Sequence, residues 1–117
     1  MAKEAPIFIH THDMLAWLTD HLESWPRTQR FFLAQEVMSS ASRFYRHLLE
    51  ARKTPASARG GVLLDADVRL EMLKGFLRLG HEKHYMSIGQ YAHVSKMLVE
   101  IGNELGGWRK ATSSSGS

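Results

Sequence analysis

Apolar residues recur at helical spacing along almost the whole of this 117-residue chain, and the interruptions fall at proline, glycine and small polar residues. A chain patterned this way can bury its apolar stripes only helix against helix, and four stripes joined by short connections pack as antiparallel neighbours. The expected fold is therefore all-α, a single antiparallel four-helix-bundle domain over residues 1–110, followed by a disordered Ser-rich tail at 111–117.

The punctuation divides the chain as follows. Thr11 can cap a first helix that places Met14, Leu15, Leu18, Leu22 and Trp25 on one face, and Pro26 ends it because the residue before a proline is pushed out of the α region. A second helix is expected over 27–53, with Phe31, Ala34, Val37, Met38, Ala41, Phe44, Tyr45 and Leu48 in one arc and Glu36, Arg43, His47 and Glu50 facing away. The stretch 54–62, with Pro55, Gly60 and Gly61, reads as the longest loop, after which Asp65 offers a cap for a third helix over 66–84. Ser87 and Gln90 have the spacing of a capping box and open a fourth helix. Its stripe is Ile88, Tyr91, Val94, Leu98, Ile101 and Leu105, with Gly106-Gly107 as the stop. Gly102 shares that stripe, so it is expected to permit a close helix approach, with Trp108 folding back after the turn.

The third helix carries more apolar surface than one bundle core requires. Ala66, Leu70, Leu73 and Leu77 form one stripe, while Val68, Met72, Phe76 and Leu79 form a second. The second stripe is assigned to self-association, ahead of a bulky local core or an overlying Ile7-Phe8-Ile9 segment.

Composition narrows the chemistry. With no cysteine, disulfides, thiolate metal sites and thiol catalysis drop out, and a reducing cytoplasm is the expected location. No apolar run reaches the roughly eighteen residues a membrane span needs, so no membrane partner is expected. Charge is uneven: one lysine against four acids gives −3 over residues 1–26, and eleven Lys or Arg against six acids give +5 over 27–83. That basic middle permits a polyanionic partner without demanding one, since a solvated helix surface with a modest basic excess is the commoner explanation. Arg46 with Glu50 reads as an ordinary i,i+4 ion pair, whereas Arg27 and Arg30 crowd a helix N-terminus, where the dipole disfavours cations.

Candidate catalytic and metal groups are sparse. His81-Glu82-Lys83-His84 and His10-Thr11-His12 lack both the zincin spacing and a third ligand, so no metal or cofactor is expected. Arg78 and His84 have the Arg-x(4 to 6)-His spacing of a class of small helical ribonucleases, a spacing that nine arginines and seven histidines produce by chance. The composition and motifs point to a binding or scaffolding module without an active site.

Two blocks are more specific: Pro26-Arg27-Thr28-Gln29-Arg30-Phe31, and Glu100-Ile101-Gly102 with Leu105-Gly106-Gly107-Trp108. With Leu77-Arg78-Leu79 and Gln90-Tyr91 between them, they resemble Avd, the accessory variability determinant of diversity-generating retroelements. More distantly they resemble the four-helix proteins encoded in ribosomal RNA intervening sequences. The likeness spans about residues 12–110, with Ala34 at a position where glycine is expected. The resemblance implies a non-enzymatic, homopentameric bundle that binds RNA, or DNA, and attaches to a reverse transcriptase during mutagenic copying of template RNA. The alternative is an RNA-associated bundle with no such partner, or, lower still, the Arg78/His84 ribonuclease. Candidate nucleic-acid contacts are Arg27, Arg30, Arg69, Lys74, Arg78, Arg109 and Lys110; candidate subunit contacts are Val68, Met72, Phe76 and Leu79.

Overall fold

The computed structural model of the chain describes residues 4–115, the side chains of Gln29, Arg30 and Ser115 aside. Its long helices are α1 (Pro6–His21), α3 (Leu33–Lys53), α4 (Ala56–Glu82) and α5 (Ile88–Ser115), with one short helix, α2 (Arg27–Arg30), and a 3-10 turn at Leu22–Ser24. They make an elongated body of 47 × 26 × 21 Å, whose long axis is close to the roughly 40 Å that a 28-residue helix spans.

Contacts at the helix ends show the direction of each helix. Phe8 near the start of α1 meets Trp108 near the end of α5, with ring centroids 5.9 Å apart and edge-on. Arg52 at the end of α3 lies over the Phe8 ring at 4.4 Å. Asp67 of α4 pairs with Arg109 of α5, and His81 at the end of α4 stacks on Tyr91 at the start of α5. Each helix is thus antiparallel to the two it packs against. α1 and α4 lie on a diagonal, while α3 packs most extensively on α4 and α5 on both α4 and α1.

The expected stripes are the core. Val37, Ala41, Phe44 and Leu48 of α3, Ala66, Leu70, Leu73 and Leu77 of α4, and Val94, Leu98, Ile101 and Leu105 of α5 are all buried, facing Met14 and Leu18 of α1. Each such side chain withdrawn from water contributes about 1.5–3 kcal/mol before entropy is counted. The capping box also forms: Gln90 N–H donates to Ser87 Oγ, and Ser87 N–H to Gln90 Oε1, both at 3.0 Å.

Boundaries differ from the sequence expectation in several places. α1 begins at Pro6, where a proline's missing N–H costs nothing. Thr11 lies buried inside that helix and its hydroxyl caps nothing. The second helix is broken at Phe31-Phe32, so that Leu33 rather than Phe31 carries the arc inward; Phe31 is 66% exposed. Residues 56–62 are the first turns of α4, and Asp65 is no cap; the connection to α3 is Thr54 and Pro55 alone. Gly106-Gly107 do not stop α5, which runs on to Ser115 and makes Ala111 to Ser115 helical; residues 116–117 lie outside the described residues. Ile88 at the start of α5 is 80% exposed rather than buried.

α4 ends in a Schellman motif. Tyr85 N–H donates to Gly80 C=O at 2.9 Å and His84 N–H to His81 C=O at 3.0 Å, with His84 at φ 63, the left-handed position where glycine is usual. The cluster His81 to His84 is therefore a helix end.

The close approach lies at Gly80, not at Gly102. A Cβ at Gly80 would stand 2.5 Å from Trp25 Cη2 and 2.9 Å from Cζ2, in an indole that is itself 2% exposed. A Cβ at Gly102 would meet Leu70 and Lys74 at an ordinary 3.8 Å. Trp108 likewise stays on the helix, against Phe8.

His10 ties α1 to α5. Its Nδ1 donates to both Glu104 oxygens at 2.7 and 2.9 Å, and its Nε2 faces Glu100 at 3.3 Å. The hydrogen bond to Glu104 holds the imidazole above its usual 6.5, opposed by burial and supported by the charges of Glu104, Glu100 and Asp13.

Two outcomes are expected. Gly80→Ala should lose about 1–3 kcal/mol in urea unfolding through overlap with Trp25, whereas Gly102→Ala should be neutral or gain up to about 1 kcal/mol from helix propensity; equal effects would contradict the packing. Because His10 titrates higher when folded, its contribution is complete below about pH 6.5 and fades as pH rises through the raised value. The melting-temperature deficit of His10→Gln should therefore be larger at about pH 5.5 than at about pH 9.

Candidate nucleic-acid interface

The basic residues singled out from sequence do not converge on one surface. Arg27 is exposed at the start of α2, next to the Trp25–Gly80 end of the bundle, and the Arg30 side chain is outside the described residues. Arg109 and Lys110 lie roughly 20 Å away along α4, at the end where α5 finishes. There they line a cleft of about 490 Å³ with Ser57 and Gly60 of α4. Lys74 and Arg78 lie between these ends, on the polar strip of α4.

Three of these side chains are engaged with carboxylates. Arg109 Nη1 is 3.2 Å from Asp67, Lys74 Nζ 3.5 Å from Glu71, and Arg78 Nε 3.7 Å from Glu82. All three pairs are partly exposed, so each contributes little and can be exchanged for a phosphate at small cost. Arg69 differs, being half-buried on the α3 side of α4, with Nη1 3.7 Å from Met72 Sδ and no carboxylate partner among the described residues.

Arg69 joins Arg43, Arg46, His47 and Glu50, expected from sequence to be solvated surface, and Ser42 beside them. Ser42, Arg43, Arg46, His47 and Glu50 of α3 line, with Arg69, a cleft of about 370 Å³ between the two helices. Arg46 makes its expected pair with Glu50, Nε to Oε1 at 2.9 Å. The spacing 43, 46, 47, 50 is a helix-face signal readable in the sequence; the α3–α4 register that brings Arg69 opposite is not.

The second stripe of α4 faces solvent. Val68 is 50% and Leu79 39% exposed, and Met72 and Phe76 are half-buried. Leu79 shares a shallow surface with Phe31 and Phe32, which are 66% and 70% exposed. Ile7 and Phe8 do not cover this stripe, because they are buried in α1, with Phe8 against Arg52 and Trp108.

Among the described residues, His10, Glu100 and Glu104 are the one trio close enough together to hold a metal ion. Sequence reasoning missed it because the ligands come from helices ninety residues apart, and the two carboxylates take opposite ring nitrogens, the arrangement of a paired imidazolium. Of the ribonuclease pair, Arg78 faces Glu82 and His84 occupies the left-handed turn after α4. No described helix is long and apolar enough to cross a membrane.

No curated protein matches the chain. The sequence pattern of the bAvd-like family, in contrast, matches residues 7–112, from the first turn of α1 to the buried Thr112 of α5, and the chain belongs to that family.

Proposed function

We propose that this protein is a non-enzymatic, nucleic-acid-binding accessory protein of a diversity-generating retroelement. It associates with the element's reverse transcriptase in the cytoplasm and supports mutagenic copying of template RNA. The observation that carries this reading is the bAvd-like match over residues 7–112.

The surface supports an assembling, phosphate-binding bundle. Val68 and Leu79, extended by Phe31 and Phe32, leave a large apolar area in water, and such area on a small chain marks a contact surface. Burying it between copies, with Met72 and Phe76 at its margin, gives the homopentamer the family resemblance implies. A ring then repeats Arg27, Arg30, Arg69, Lys74, Arg78, Arg109 and Lys110 in every subunit, so weak contacts from scattered sites add up by avidity without any one strong site.

Light scattering after gel filtration should return five times the 13.3 kDa chain mass. Val68→Glu with Leu79→Glu should shift the mass downward while helicity is kept. A monomeric wild type at micromolar concentration would sink the assembly. In filter binding, affinity for RNA should fall steeply with salt, and Arg78→Ala should lower the log–log slope by about 0.7 for single strands, similarly across unrelated sequences. Salt-independent binding, or none, would leave a protein-binding scaffold.

A further inference from the structure

We infer that the cleft between α3 and α4 lined by Ser42, Arg43, Arg46, His47 and Arg69 is a phosphate-binding subsite. The inference rests on the nucleic-acid reading for the source of the phosphate, and names a place for it that the scattered basic residues do not provide.

Three guanidinium groups line the cleft against one carboxylate, Glu50, and that carboxylate already accepts from Arg46 Nε at 2.9 Å. Neither Arg43 nor Arg69 has a carboxylate partner among the described residues, in contrast to Lys74, Arg78 and Arg109. Like charges gathered in a concave surface raise one another's energy, and an anion relieves that cost.

The same cleft holds a polar atom without a partner among the described residues. His47 is 19% exposed, and its buried Nδ1 has no hydrogen-bond partner among the described residues; Glu50 Oε1 is 3.8 Å away. A buried polar nitrogen left unpaired is costly in the folded protein, and a turn of the imidazole toward the cleft would let an anion there complete it. His47, Ser42 and the arginines together offer a hydroxyl, an imidazole and forked guanidinium donors from two helices. A phosphate has enough oxygens to take several of these at once, including a bidentate arginine, whereas a carboxylate supplies only two.

Arg69 is also restrained. Its half-buried stem and the contact of Nη1 with Met72 Sδ limit the rotamer freedom that binding would otherwise have to freeze. It stands beside the apolar stripe of α4, so an assembled ring would carry one such cleft per subunit along its seams.

The test uses full-length protein labelled with ¹³C at histidine, titrated separately with inorganic phosphate and with a mixed-sequence single-stranded RNA, beside Arg43→Gln and Arg69→Gln. RNA should move the His47 ring resonances, and each variant should weaken RNA binding about fivefold at 0.1 M salt, the size that a lost slope of about 0.7 gives. A merely structural role would leave the salt slope unchanged. Movement of His47 with phosphate but not with RNA would assign the subsite to a free phosphate and still support it. If RNA binds while His47 stays still and both variants keep the wild-type slope, the cleft is overturned and the nucleic-acid reading stands. If neither ligand binds, both fall.

Discussion

The two-residue connection at Thr54 and Pro55 constrains the bundle more than any other feature. With α3 ending at Lys53 and α4 starting at Ala56, the chain has no slack, so α4 must run straight back along α3. Arg59 locks this turn: its guanidinium donates to the carbonyl of Ala51, which also accepts the Thr54 N–H, and to the carbonyl of Thr54. From that point the two helices run side by side. Phe44 and Leu48 of α3 and Leu63 and Ala66 of α4 are all buried in the core, and on the outer edge of the same seam Arg43 and Arg46 share a cleft with Arg69. The register of two helices thus decides where positive charge accumulates.

α4 is also the most extensively packed helix. One side faces α3, another α5, and Gly80 admits the indole of Trp25 across the diagonal. Its core stripe is used up by these contacts, leaving Val68 and Leu79 partly exposed among the described residues. The break at Phe31-Phe32 adds two more rings to the same outward surface, because rotating the start of α3 to bury Leu33 and Ala34 turns the phenylalanines out. Apolar area accumulates there as a by-product of satisfying the interior.

Periodicity made the core legible in advance, residue by residue, because burial of Phe44, Leu73 or Ile101 follows from spacing alone. Boundaries were less legible because local signals lost to packing. Two glycine pairs that should end or precede helices lie inside them; nothing stands within 4 Å of a Cβ at any of the four, so each costs about 1 kcal/mol of propensity that neighbouring contacts such as Leu63 and Leu105 outweigh. Thr11 looked like a cap because it precedes an apolar run, yet Pro6 sets the helix start earlier. Of the candidate interface, the outward stripe of α4 could be seen, since it needs only one helix wheel. The arginine cleft and the His10 clamp could not, since each needs two helices set in register.

The contact between Phe8 and Trp108 joins the two ends of the fold. Arg52 covers one face of the Phe8 ring and Trp108 meets it edge-on, while Arg59 lies 5.8 Å from the Trp108 centroid, so α1, α3, α4 and α5 all converge there. Helix termini ordinarily fray independently, each at its own low free energy. Here the first turn of α1 cannot loosen without uncovering the indole, nor the last turns of α5 without uncovering the phenyl ring. The two ends are therefore expected to open as one cooperative unit, their amide hydrogens reporting a common opening free energy.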